Sequence, residues 1–200
     1  MRRFLAICGL IIVAGMVARA GAAELDPGIV ARFQTLSMSV PTTGRVVVCH
    51  GFGCQRRTEI GLSRADHAKL AQLMAPGRAS AEAERGAVAQ AIAWFEKRVA
   101  AQAGTANAKA YATVMSDPGQ FDCVDASTNT TQVLIVLDQL GLLHHHRVEA
   151  PVSRPFGWHV IHTTAVLRNV HDQEAWVFDP WTRNNGELPE VMPLAKWLQG

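Results

Sequence analysis

The chain has 200 residues, with 19 Lys and Arg against 17 Asp and Glu. That length supplies a proper hydrophobic core without disulfide staples, and the composition is that of an ordinary folded protein rather than a disordered, collagenous or low-complexity one. Removal of a secretory segment that carries Arg2, Arg3 and Arg19 leaves 16 basic against 17 acidic residues, about −1. With no basic stripe interleaved with aromatics, nucleic acid is excluded as an expected partner, and Gln55-Arg56-Arg57 reads as a short exposed cluster.

The secretory segment is the stretch from Met1 to Ala23, with two arginines, an apolar run from Phe4 to about Ala18 and small residues before Ala20 and Ala23. It is too short for a comfortable membrane span, so the expectation is a cleaved signal over 1–23, one domain over 24–200, a periplasmic or secreted product, and no stable membrane insertion after cleavage. Next, Arg45-Val-Val-Val-Cys-His-Gly-Phe-Gly-Cys54 brings a β-branched run into a glycine-rich turn, with a strand-like return. The natural pairing is a Cys49–Cys54 disulfide across this hairpin; the competing reading is a metal knuckle of Cys49, His50 and Cys54, which lacks a second ligand pair. Cys123 is then the unpaired thiol of the exported chain.

Ser63 with Asp66 three residues on predicts a capped helix ending before Pro76. Ser80, acidic first turns and Val88, Ile92, Phe95 and Val99 predict a long helix up to about residue 103, followed by a loop over 103–110. A third helix runs from near Cys123 to Leu140, with Gly141 as its left-handed cap; it is apolar almost all round near its end, and belongs in the middle of the fold. Its start is unusual. Asp125, Ser127, Thr128, Asn129, Thr130 and Thr131 are poor helix formers, so they either bond locally or line a cleft. Asp125 is expected to turn from the thiol toward backbone or a base such as Arg154, Gln120 is a possible oxyanion donor, and the Asn129-Thr-Thr sequon is expected to go unused on a core helix.

His144, His145 and His146 read as a solvated cluster where the helix exits, since only two share a strand face and no ligand partner lies at metal spacing. Strands are expected over 146–152, 159–170 and 174–181, with a surface turn from Thr182 to Val191. Helices in one run and strands in another predict an α+β fold, an antiparallel sheet packed on the cysteine-bearing helix. Trp158, Trp176, Trp181 and Trp197 are expected to pack the sheet, with Trp181 beside a cleft. No nucleotide cradle is present, since the Gly-Phe-Gly turn lacks strand–loop–helix context, and no cofactor is expected.

The order Cys123, His162, Asp179 carries the chemistry. A helix N-terminus favours a thiolate and offers N–H donors to an oxyanion, an imidazole moves the proton, and a carboxylate fixes its tautomer. Seventeen residues separate His162 from Asp179, enough for a strand, a turn and a return strand. His162 is preferred as the base, with His159 on the opposite strand face as the alternative.

On Asp122-Cys-Val-Asp125, His162-Thr-Thr-Ala-Val-Leu167 and Trp176-Val-Phe-Asp-Pro-Trp181, the chain resembles the transglutaminase-like and papain-like cysteine peptidase superfamily. Over nearly all of its mature length it is also similar to a group of exported bacterial proteins. The resemblance implies a central cysteine-bearing helix on an antiparallel sheet, Cys123 as nucleophile, His162 as base, Asp179 as orienting acid, and a peptide or protein substrate. Thr163-Thr164 stands where the commoner transglutaminase pattern has Ala-Trp, and papain's signature around the cysteine is missing. Rival expectations are a non-catalytic periplasmic binding module and a histidine-based metal-binding protein.

Overall fold

A computed structural model of the chain describes residues 25–112, 117–157 and 160–200. The expected signal segment, the alternative base His159 and Trp158 lie outside the described residues. The fold is α+β with two antiparallel sheets, one of two strands and one a four-stranded meander in the order β3-β4-β5-β6.

Asp26 opens α1 (Pro27–Thr35) by accepting from Gly28 N at 2.7 Å, with Pro27 at the first helical position. This helix was not expected from sequence. It buries Ile29 and Phe33, and Gly28 is required where it passes β3, since a Cβ there would sit 2.7 Å from the Ala150 Cβ. The hairpin β1 (Arg45–His50) and β2 (Arg56–Gly61) pairs Val46 with Ile60 and His50 with Arg56. Ser63 and Asp66 form the expected reciprocal cap of α2 (Arg64–Met74). Ser80 caps α3 (Ala81–Ala103), which ends on Gly104 at φ 72°.

Helix α4 (Cys123–Gln139) opens on an Asp122–Asp125 capping box and packs against β1, β3 and β4. Its polar start is explained by β1. Leu62 N bonds Gly44 O, so the even residues of β1 bond to β2 and the odd ones turn their N–H and C=O outward. The Gln132 amide takes both groups of Val47 at 2.8 and 2.7 Å, and the Asn129 amide takes both groups of Cys49 at 2.7 and 2.8 Å. Two helix side chains thus stand in for a neighbouring strand. With its amide bound in this way and only 8% of the residue exposed, Asn129 is not an acceptor for glycosylation. The hydroxyls of Ser127 and Thr128 bond back to Val124 O, and that of Thr131 to Ser127 O.

The larger sheet is β3 (His146–Phe156), β4 (Val160–Asn169), β5 (Ala175–Asp179) and β6 (Glu190–Pro193), followed by the short α5 (Leu194–Trp197). β3 is longer than expected, and β6 and α5 were not anticipated. Ala165, Leu167 and Phe178 face the main core with α3 and α4, while Val166 and Val177 face a smaller core closed by Trp197. The expectation of a solvated histidine cluster is corrected here. His146 is buried at 2.8 Å from Glu84, and Glu84 also accepts from the backbone N of His144 and His145, at 2.6 and 3.0 Å. Burial alone would raise the Glu84 carboxyl, but these donors hold it below the usual range. The sequence offered no sign of Glu84, 60 residues upstream on α3.

Candidate active site

Cys49 and Cys54 form the disulfide, as expected from the hairpin. The turn between them is left-handed throughout: Gly51, Phe52, Gly53 and Cys54 have φ of 77°, 67°, 62° and 58°. For Phe52 and Cys54 this conformation is strained, and what holds it is the start of α4. Successive N–H groups of such a turn converge on one side, and two carboxylates meet them. Asp125 accepts from Phe52 N at 2.8 Å and Cys54 N at 2.6 Å, and Asp122 from Gly53 N at 2.7 Å. Asp125 therefore turns to backbone, as expected, but not to Arg154. Its burial and the neighbouring Asp122 push its carboxyl up to about 7 against the pull of these donors.

This clasp fixes the first turn of α4, whose first residue is Cys123. The thiol is 6% exposed, packs with Ala126 and Trp181, and lies 3.4 Å from the carbonyl oxygen of Ile161. That carbonyl belongs to the residue before His162. On the neighbouring strand Ala165 pairs with Phe178, so one step on sets Thr164 opposite Asp179 and places His162 diagonally from it on the same face. The His162 Nε2 to Asp179 Oδ2 distance is 2.5 Å, and both side chains are buried. The same Asp179 oxygen accepts from Trp197 Nε1 at 3.3 Å. The imidazole is enclosed by aromatic rings, Trp181 at 4.8 Å, Trp197 at 5.3 Å and Phe156 at 5.6 Å between centroids.

With Nε2 bound to the carboxylate, Nδ1 is the nitrogen left over, buried and without a hydrogen-bond partner among the described residues. Burial alone would depress the His162 pKa. The Asp179 carboxylate and the nearby Cys123 thiol outweigh it and push it up to about 9. At neutral pH the geometry thus favours an imidazolium beside a sulfur at a helix N-terminus.

Two arginines flank the site. Arg32 of α1 is half-buried, with Nε and Nη2 lacking partners among the described residues; desolvation lowers its pKa, and the charges of Cys123 and Asp122 draw it back up. Arg154 of β3 stacks on Trp197 at 4.6 Å. Neither stood out as a functional residue in the sequence. Gln120, a possible oxyanion donor but more readily a loop residue by sequence, has the loop role: its amide donates to Asn107 O and Asp117 and accepts from Lys109 N, bracing the loop before α4.

For the metal reading, the described residues bring together Cys49, Cys54 and Asp125, but the two sulfurs are bonded to each other. His50 bonds Pro118 O and Thr58. No helix among the described residues is long and apolar enough to cross a membrane. Comparison with protein-family models, with curated proteins and with solved structures finds no match to this chain, so its chemistry is argued from the site alone.

Proposed function

We propose that the protein is an exported cysteine hydrolase that cleaves peptide or isopeptide amide bonds through Cys123, His162 and Asp179, on a core of the transglutaminase-like and papain-like kind. The observation that carries this reading is the ordered set of contacts at His162. Nε2 is held by Asp179 at 2.5 Å, Nδ1 is buried without a partner among the described residues, and Cys123 sits at the N-terminus of α4 against the preceding carbonyl. The disulfide fits an oxidising compartment.

In this mechanism the Cys123 proton passes to His162 Nδ1 and the sulfur attacks the amide carbon. The C–N bond then breaks, with the proton on His162 delivered to the departing amine. Asp179 holds the ring in one tautomer and stabilises the imidazolium; it keeps its own charge throughout. Water, deprotonated by His162, releases the acyl group; an amine in place of water would make the same site an acyltransferase. Phe156, Val160 and Ile161, exposed by 36, 51 and 60% beside the site, form an apolar rim suited to a polypeptide.

Alkylation of Cys123 by iodoacetamide against pH tests the reading. A thiolate–imidazolium pair keeps the rate high down to about pH 6, where an ordinary thiol with a pKa near 8.5 is almost wholly protonated. A rate that simply follows an ordinary thiol, and does not respond to His162→Ala, refutes it. A second reading is favoured by one feature: Cys123 is 6% exposed and absent from the lining of the aromatic cavity beside His162. An inert thiol combined with peptide binding in that cavity identifies a non-catalytic binding module.

A further inference from the structure

A cavity of about 230 Å³ opens beside His162 and Asp179, walled by Tyr111, Phe156 and Trp197. Arg154 lies directly opposite His162 in the β3–β4 register, so the two side chains share a face, and Arg154 reaches this cavity. Its guanidinium lies over the Trp197 ring at 4.6 Å and is 5.9 Å from the Phe156 centroid. Stacking of this kind fixes the plane of the guanidinium and leaves its edges free to donate. Nε is buried with no acceptor, and no carboxylate among the described residues forms an ion pair with Arg154. The two acidic side chains of the cavity wall are engaged elsewhere, Asp179 by His162 and Trp197, and Glu190 by Arg183 at 3.8 Å, and Gly200 also lines the wall next to Arg154. A half-buried cation with an unused donor and no ion-pair partner among the described residues is left beside an aromatic-walled space.

We propose that this cavity is a subsite for a carboxylate, anchored by Arg154, with the aromatic walls packing the carbon that carries it. That the carboxylate belongs to a substrate rests on the hydrolase reading; the binding itself does not. The volume is below that of sites for drug-sized ligands and suits one amino acid side chain or one chain end. A planar guanidinium binds a carboxylate with two parallel hydrogen bonds, the strongest partner this donor set can find. The carboxylate comes either from an Asp or Glu side chain near the scissile bond or from the free α-carboxyl of a peptide.

Titration calorimetry of the Cys123→Ala protein with two pairs of acetylated tetrapeptides separates the sources. One pair has Glu or Gln at the third position with an amidated end; the other is all-Ala with a free or an amidated end. At least one acid should bind about tenfold more tightly than its neutral twin, and the pair that discriminates names the source. Arg154→Gln should abolish the preference and Arg154→Lys retain part of it. In the protein with Arg154 intact, the preference should shrink as NaCl is raised from roughly 50 to roughly 500 mM, a readout independent of how the variants fold. Equal binding within both pairs, a preference that survives Arg154→Gln, or one indifferent to salt overturns the subsite. A reactive, His162-dependent thiol with no carboxylate preference removes the subsite alone; a carboxylate preference with an inert thiol removes the hydrolase alone.

Discussion

Two buried polar regions meet at the first turns of α4, and they are built on opposite rules. On the side facing β1, Asp125, Asn129 and Gln132 satisfy Val47, Cys49, Phe52 and Cys54, and each of these backbone groups has its partner. Around Cys123 and His162 lie five of the seven buried side-chain atoms that lack partners among the described residues, the other two being Thr105 Oγ1 and Asn185 Oδ1. The five are His162 Nδ1, Trp181 Nε1, Arg32 Nε and Nη2, and Arg154 Nε. A buried polar atom left unpaired is costly, so the contrast supports the proposal that the open region is where something else binds or reacts. The contrast also separates the two histidine–carboxylate pairs. His146–Glu84 sits in a closed set of donors, with Arg85 at 3.5 Å from the second ring nitrogen, whereas the second nitrogen of His162 is free.

The comparison breaks most sharply at His162. If His162 sustains the thiolate, His162→Ala should lower the alkylation rate of Cys123 at pH 6 by roughly 10²-fold, the loss of thiolate when a thiol returns to an ordinary pKa near 8.5. His146→Ala, tested by the same alkylation, should leave the rate within about threefold of wild type. A comparable loss in both variants would show that the thiol responds to general loosening of the fold, and the distinction between the two regions would fall.

The satisfied region should answer in stability instead. Asn129→Ala strands the N–H and C=O of Cys49, two buried groups at about 1–3 kcal/mol each, so denaturant unfolding should show a loss of roughly 2–4 kcal/mol. Its alkylation rate should hardly change while the protein is folded. A loss under about 1 kcal/mol would mean that water replaces the amide and that the strand edge is not sealed.

Acid–base linkage gives the next effect. The His162 pKa, about 9 in the folded chain, lies above the 6.5 of a free imidazole, so its contribution to stability is complete below about pH 6.5 and disappears as pH rises through 9. Asp125 and Glu96, the latter a buried carboxyl on α3 that accepts from Gly186 N at 2.7 Å, are each pushed up to about 7, chiefly by burial, and lose their contributions lower, between about pH 4 and 7. The melting temperature should therefore fall between pH 7 and 9 by several degrees, and this slope should flatten in Asp179→Asn, which removes the charge that holds the imidazolium. An unchanged slope would assign the transition to another group.

How much of this was legible beforehand follows from where each signal resides. The caps of α2 and α3 are encoded within four residues by Ser63, Ser80 and their partners, so those helices could be read directly, whereas α4 was placed by its apolar run and its Asp122–Asp125 box went unread. The Cys49–Cys54 pair and the His162–Asp179 spacing are hairpin geometry, and they too could be read. What stayed hidden depends on long-range contact. Asn129 and Gln132 reach strand β1 across 80 and 85 positions, and Glu84 reaches the histidines across about 60. Helix α1 is the exception, since Asp26, Pro27 and the Ile29–Phe33 spacing are local signals that went unread. The polar run after Cys123 posed a choice between cleft lining and backbone bonding, and Asn129 and Gln132 settle most of it as backbone bonding. Trp197 read only as packing because nothing local shows that its N–H would meet Asp179.

That N–H gives the smallest and most discriminating effect. Trp197→Phe keeps a ring against His162 and beneath Arg154 but deletes the donor to Asp179 Oδ2. At 3.3 Å the bond is long, and its net worth is about 1 kcal/mol, so the alkylation rate of Cys123 should stay within roughly fivefold of the parent. The same change shifts the pH profile in a defined direction. A carboxylate with one donor fewer is a stronger partner for the imidazolium, so His162 should titrate higher than in the parent, and the alkaline fall in melting temperature should move up in pH. A structural defect from the smaller ring would lower stability at every pH alike. A profile displaced as a whole without a shift of its alkaline limb would therefore reduce Trp197 to packing, and a displaced limb would place its N–H in the control of the His162–Asp179 pair.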